Sequence, residues 1–277
     1  MAEITAKAVN ELRQMTGLGL MECKTLLKDA GGDMEKAVTL AKEKGLKNAE
    51  KRAGRAAKAG RIEVALGPDG TSGAIVELNC ETDFVARNDE FRRVARELAE
   101  HVLAAGGEGD LAGQAFHKDP SRTINEILVD LNARTGENVS VARSARFAGA
   151  GRVDAYVHHD GKSGALVQLS GPADPQLAKD LALQVVASRP LAVRREDVPA
   201  DAVAEQKRIF LTQVADKPEP IREKIANGKL DAWYGEITLL DQPFVKDPAQ
   251  KVRDVIKSGG PELTVAQFAR YVVGEGA

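Results

Sequence analysis

Gly60-Arg61-Ile62-Glu63-Val64 returns later in the chain as Gly151-Arg152-Val153-Asp154-Ala155, and this recurrence decides the fold. At the same offset of 91 residues, Gly70 answers to Gly161, Ser72-Gly73-Ala74 to Ser163-Gly164-Ala165, Val76 to Val167 and Leu78 to Leu169. Side-chain alternation around Pro68-Asp69-Gly70 and around Asp160-Gly161 predicts a β-hairpin in each copy. A run of helical period follows each hairpin: Val94-Ala95, Leu98 and Val102 in the first copy, Leu177-Ala178, Leu181 and Val185 in the second. The helices match at an offset of 83, so the first copy holds 8 more residues between strand and helix, within Asn79–Arg93.

That extra length contains Glu81-Thr82-Asp83-Phe84-Val85-Ala86-Arg87-Asn88. A connection runs over the surface, so an apolar tip needs a reason. Phe84 is either a lid folded onto its own core, or a wedge for a partner's crevice with Asp83 as its polar anchor. The second copy closes the same connection with Ser170-Gly171-Pro172-Ala173-Asp174-Pro175 and carries no aromatic there. This weakens the lid and leaves both readings open.

Outside the repeat, three short helices are predicted over residues 1–46. Thr5 caps the first and Gly17 ends it. The second runs from about Leu20 to Ala30 with Cys23, Leu26 and Leu27 inward. Asp33 caps the third, with Met34, Ala37, Val38 and Ala41 on one face and Gly45 as its stop. Modules this small usually bind rather than catalyse. Residues 47–60 read as a basic, Ala-rich helical linker. The core then divides into 61–148 and 149–277. The first part has a helix stripe of Phe91, Val94, Ala95, Leu98 and Val102, a helix over about Ser121–Arg134 and a strand over Val139–Phe147. The second has an inserted helical hairpin over about 199–229, with segments Pro199–Asp216 and Ile221–Gly228 around Pro218 and Pro220. A helix from Asp247 or Pro248 to Lys257 and a late strand over Leu263–Val273 follow. The fold class is α+β.

Of 277 residues, 43% are hydrophobic and 29% charged, enough apolar material for a core. Net charge is −2, which gives no global basic signal for a nucleic-acid partner. The basic stretch lacks an aromatic on which a base could stack. No run approaches the roughly 18 apolar residues of a membrane span. The N-terminus lacks the charged-then-apolar order of a secretory signal. Cys23 and Cys80 lie far apart and read as reduced, buried thiols of a cytoplasmic protein. No zinc spacing, phosphate loop or nucleophile elbow is present. His158 and His159 are adjacent at a hairpin tip; on a strand they would face opposite sides and not share a metal. His101 reads as a satisfied core or edge histidine. Glu81 and Asp83 have no nucleophile nearby, so no enzymatic chemistry is expected, and no metal or cofactor.

Two long stretches carry a resemblance. Leu12-Arg13-Gln14-Met15-Thr16-Gly17-Leu18-Gly19-Leu20-Met21-Glu22-Cys23-Lys24 and Glu77-Leu78-Asn79-Cys80-Glu81-Thr82-Asp83-Phe84-Val85-Ala86-Arg87 resemble the signatures of the elongation factor Ts family. Further similarity runs through Gly60–Gly73, Gly136–Val139, Ala187–Pro190 and Gln242-Pro243-Phe244-Val245, so it spans the chain. The resemblance implies a ubiquitin-associated-like three-helix module, a core of two related hairpin-and-helix subdomains and a helical-hairpin insertion. It implies a guanine nucleotide-exchange factor that binds elongation factor Tu with GDP. By that similarity Thr82, Asp83, Phe84 and Val85 enter beside the partner's nucleotide and displace Mg²⁺. Leu12, Arg13 and Met21 grip the partner's GTPase domain, and His158 touches another partner domain. The alternative is an RNA- or peptide-binding adapter built on the helical module and the basic linker, whose binding would survive loss of Phe84.

Overall fold

A computed structural model describes residues 4–106 and 111–275. The fold is α+β. The chain divides into two units, Met1–Glu63, Val76–Ala145 and Val272–Ala277 in one, Val64–Ile75 and Arg146–Tyr271 in the other.

In the first unit, α1 (Ala6–Thr16), α2 (Leu20–Asp29) and α3 (Met34–Arg52) form the helical module. Its punctuation follows side-chain chemistry. Thr5 Oγ1 accepts the Ala8 N–H at 3.2 Å, and Asp33 Oδ1 accepts the Lys36 N–H at 3.0 Å. Gly17 closes α1 at φ 69, a conformation that favours glycine. Val9, Leu12, Cys23, Leu26, Leu27 and Ala37 make up most of the core. Gly45 is not the stop expected of it. It lies buried inside α3, where a Cβ would sit 3.3 Å from Val129 Cγ1, so the glycine serves a close approach of helices. The helix therefore takes the first part of the basic run and ends at Arg52, whose Nη1 donates to the Asn132 carbonyl at 3.0 Å.

Strands β1 (Ala59–Leu66) and β2 (Ser72–Cys80) belong to a three-stranded sheet that β5 (Ser140–Ala148) completes, in the order β1-β2-β5. A four-residue helix, α4 (Asp83–Ala86), and then α5 (Asp89–Ala105) follow β2. All five apolar residues of the expected α5 stripe are buried. His101 is buried too and satisfied: Nε2 is 2.9 Å from Gln114 Oε1, and Nδ1 accepts the His117 N–H at 3.2 Å. The next helix, α6 (Ile124–Thr135), starts later than Ser121. Residues before it form β4 (Asp119–Thr123), paired antiparallel with β3 (Ala115–Phe116), and Thr123 and Glu126 make a capping box.

In the second unit, β6 (Val153–Val157) pairs antiparallel with β7 (Ser163–Leu169), Val153 opposite Gln168 and Val157 opposite Gly164. The sheet order is β10-β7-β6, with β10 (Val265–Val272) as the late strand. α7 (Pro175–Ser188) covers it through Leu181 and Val185. The insertion is a helical hairpin of α8 (Ala200–Gln213) and α9 (Glu219–Ile237), cross-linked by Lys207–Glu223 at 3.0 Å and Lys229–Gln213 at 2.7 Å. α9 runs past Gly228 to Ile237. The helix holds two glycines, Gly228 and Gly235, each costing about 1 kcal/mol, and Arg195, paired with Asp231 and lying over the Tyr234 ring, braces the far end. The chain then forms β8 (Pro243–Phe244), β9 (Asp247–Lys251) and α10 (Val252–Gly259). The expected helix at Asp247 is thus a strand for its first five residues.

The duplication extends beyond the hairpin and helix. Phe116-His117-Lys118-Asp119-Pro120 and Phe244-Val245-Lys246-Asp247-Pro248 stand 128 residues apart. Both form the same irregular two-stranded arm, Phe116 opposite Asp119 and Phe244 opposite Asp247, and both feed a helix. The inserted hairpin changes the offset between the copies, which hid the match.

Candidate functional site

Strand β2 ends at Cys80, and the chain turns through Glu81 and Thr82 into α4. Thr82 is the N-cap: its Oγ1 faces the Val85 N–H at 3.4 Å. The turn is pinned from below. Ala86 is buried, and the Cys80 thiol donates to the Thr82 carbonyl at 3.2 Å. Burial pushes that thiol up to about 12, with the negative Glu137 adding to the shift. Between these anchors Phe84 is 89% exposed. The lid reading therefore fails, because the ring lies almost wholly in solvent. Thr82 and Asp83 are exposed beside it and Val85 is half-buried.

A second turn, between α6 and β5, grips the first. Glu137 Oε2 accepts the N–H groups of both Glu81 and Thr82 at 3.0 Å, and Glu137 Oε1 accepts the Thr82 hydroxyl at 2.6 Å. In return Glu81 Oε1 accepts the Asn138 N–H at 2.7 Å and faces Arg55 Nη1 at 3.4 Å. Asn138 Nδ2 donates to the Arg55 carbonyl at 2.9 Å. Sequence reasoning missed Glu137. The available signal was a carboxylate directly after Gly136, which at φ 75 caps α6.

The helical module exposes large apolar side chains of its own. Met15 (59% exposed), Leu20 and Met21 (71%) are large side chains facing solvent, and Arg13 is exposed on α1. Leu12, expected to touch a partner, is not among them. It is 0% exposed, because its position on α1 points into the module's core with Val9 and Leu26. In the second unit His158 is half-buried, with Nδ1 3.2 Å from the Tyr156 hydroxyl. The opposite-face expectation for His158 and His159 does not hold. β6 ends at Val157, strand alternation stops there, and the two rings lie 4.2 Å apart. Among the described residues no group of three or more His, Cys, Asp or Glu could hold a metal ion, and no helix is long and apolar enough to cross a membrane.

A cavity of about 560 Å³ in the first unit is lined by residues of α3, α6 and β5. Its ionisable lining residues are Glu50 and Arg143, and Arg143 Nε donates to Glu77 Oε2 at 2.6 Å. It offers no acid–base pair.

An exposed aromatic on a hydrogen-bonded turn and exposed methionines on the helical module are features of protein–protein contact surfaces. The profile of the family described as Elongation factor TS matches residues 81–275. Elongation factor Ts of Halorhodospira halophila is 43% identical over 99% of this chain and 93% of its own length, and that of Methylococcus capsulatus is 43% identical over the same shares. The Aquifex aeolicus protein of that name is 39% identical over 98% of each chain. The chain belongs to the elongation factor Ts family, a family of translation elongation factors.

Proposed function

We propose that the protein is a guanine nucleotide-exchange factor. It binds elongation factor Tu loaded with GDP in the cytoplasm, dislodges Mg²⁺ and lets GDP leave so that GTP can enter. The observation that carries this is Phe84, 89% exposed on a turn whose backbone is fixed by hydrogen bonds. Burying such a ring in a crevice is worth roughly 1.5–3 kcal/mol. That energy holds open a partner geometry in which Mg²⁺ and phosphate contacts are broken. Asp83 supplies charge beside the ring, and Thr82 and Val85 frame it. Removing Mg²⁺ strips GDP of the charge that offsets its phosphates. Factor and nucleotide then weaken each other by one and the same coupling energy, because linkage is reciprocal. No bond is made or cut.

Arg13 and Met21 grip the GTPase domain in this reading, and Leu12 acts only through the module's core, where it is buried. His158, oriented by Tyr156, meets another partner domain. The test is release of fluorescent GDP from elongation factor Tu. The chain should accelerate release and Phe84→Ala should do so far less; equal rates for the two refute the wedge.

A further inference from the structure

We infer that Glu137 is a positioning residue for Phe84: its carboxylate sets where the ring stands before any partner arrives. The inference rests on the exchange reading for what the ring does. Its geometry is independent of that reading. One side chain from the α6–β5 turn takes the two consecutive N–H groups that lead into α4, each at 3.0 Å, and the hydroxyl of the N-cap Thr82 at 2.6 Å. Thr82 Oγ1 reaches on to the N–H of Val85, the residue after Phe84. The orientation of the Phe84 peptide therefore passes through Thr82 to Glu137. Hydrogen bonds to an ionised carboxylate are the stronger kind, and two on adjacent N–H groups leave the turn little freedom.

The clasp is reciprocal. Glu81 Oε1 holds the Asn138 N–H, the residue after Glu137, at 2.7 Å, so each turn's carboxylate closes on the other turn's backbone. This matters because α4 has four residues and cannot hold itself together. Without Glu137 the turn keeps its lower anchors, buried Ala86 and the Cys80–Thr82 contact. The fold survives, but the cap loosens and the ring samples many directions. A wedge that must enter at one angle is then ordered only at the moment of binding, and that ordering opposes the displacement.

The experiment measures GDP release from elongation factor Tu against factor concentration, for the native chain and for Glu137→Ala, Glu137→Gln, Phe84→Ala and the Phe84→Ala/Glu137→Ala double variant. We expect Glu137→Ala to lower the maximal release rate about tenfold, the size of one lost charge-assisted hydrogen bond. The half-saturating concentration should shift about threefold or less, because the helical module still grips. Glu137→Gln keeps an acceptor for the two N–H groups and should fall roughly threefold. It carries the test if the alanine variant fails to fold. In the Phe84→Ala chain, removing Glu137 should cost nothing further, since there is no ring left to aim. Glu137 variants at the native maximal rate overturn the inference, as does an equal proportional loss with and without Phe84. A native chain that leaves release unchanged refutes the exchange reading itself, a different outcome from either.

Discussion

Alanine at Gly151 should cripple the second unit, and the same substitution at Gly228 should strengthen it. A Cβ at Gly151 would lie 1.6 Å from the Leu169 carbonyl oxygen and 2.8 Å from its carbon. A carbon–oxygen contact needs roughly 3.3 Å, so the backbones must part by more than an ångström and a half. Neither is a flexible side chain that could swing aside. The hydrogen bonds flanking this point, Leu169 N–H to Arg152 O at 2.8 Å and Arg152 N–H to Gly171 O at 3.0 Å, would stretch beyond use. Each of the two bonds lost leaves groups unsatisfied at about 1–3 kcal/mol, giving a loss of roughly 2–6 kcal/mol. At Gly228, inside α9, a Cβ meets nothing within 4 Å. There alanine should gain about 0.5–1 kcal/mol from helix propensity. The chain's single tryptophan, Trp233, lies on α9 in the same unit, so urea denaturation followed by its fluorescence reads both variants. A Gly151→Ala chain within about 1 kcal/mol of native stability, or a shift of the two variants in the same direction, would refute a steric need for glycine at this position.

Phe84→Ala should leave stability within about 0.5 kcal/mol of native, since an exposed side chain contributes little to folding. It should slow stimulated GDP release roughly ten- to a hundredfold, the span set by burying one ring; urea curves and release kinetics on one preparation separate the two effects. Asp241, 4% exposed, accepts from Arg195 Nε at 2.7 Å and Thr238 Oγ1 at 3.0 Å and also pairs with Arg253. Asp241→Asn should lose about 3 kcal/mol in the same fluorescence assay, while Asp231→Asn, at the exposed partner of the same arginine, should lose under about 1 kcal/mol. The Cys80 thiol is raised from 9.0 to about 12, so the folded chain favours its neutral form. Its share of stability is complete below pH 9 and is lost as pH climbs towards 12. The native chain should accordingly lose more stability than Cys80→Ala between pH 8 and about pH 10.5 in urea midpoints measured at each pH.

What could be read from the sequence was local chemistry. Thr5, Gly17 and Asp33 act where their side chains or lack of one dictate, and the α5 stripe is buried as its period requires. Gly45 shows why one letter is not enough. A glycine that ends a helix and a glycine that lets two helices touch are the same residue, and only Val129, from a distant segment, tells them apart. Leu12 fell the other way: it sits within a stretch with a strong likeness, yet its place on α1 turns it inward. The Glu137 clasp joins residues 55 and 56 positions apart, so the carboxylate after Gly136 marks a helix end but not the turn it grips.

The duplication explains why an exposed aromatic is tolerable in this fold. Gly60 and Gly151 stand at equivalent places, and a Cβ on either would strike the carbonyl of an equivalent leucine, Leu78 at 2.4 Å or Leu169 at 1.6 Å. The close-packed frame is therefore the same in both copies and has the same needs. In the second copy Asp174 caps α7 through Gln176 N–H at 2.7 Å, and the connection closes without an extra helix. In the first copy the added residues form α4, tied to the frame by Ala86, Cys80 and Glu137, while Phe84 takes no part in holding the frame together. The residue that projects and the residues that anchor are separate. Changes at Phe84 should then alter contact with a partner without passing through stability, and changes at Glu137 should alter aim before they alter the fold.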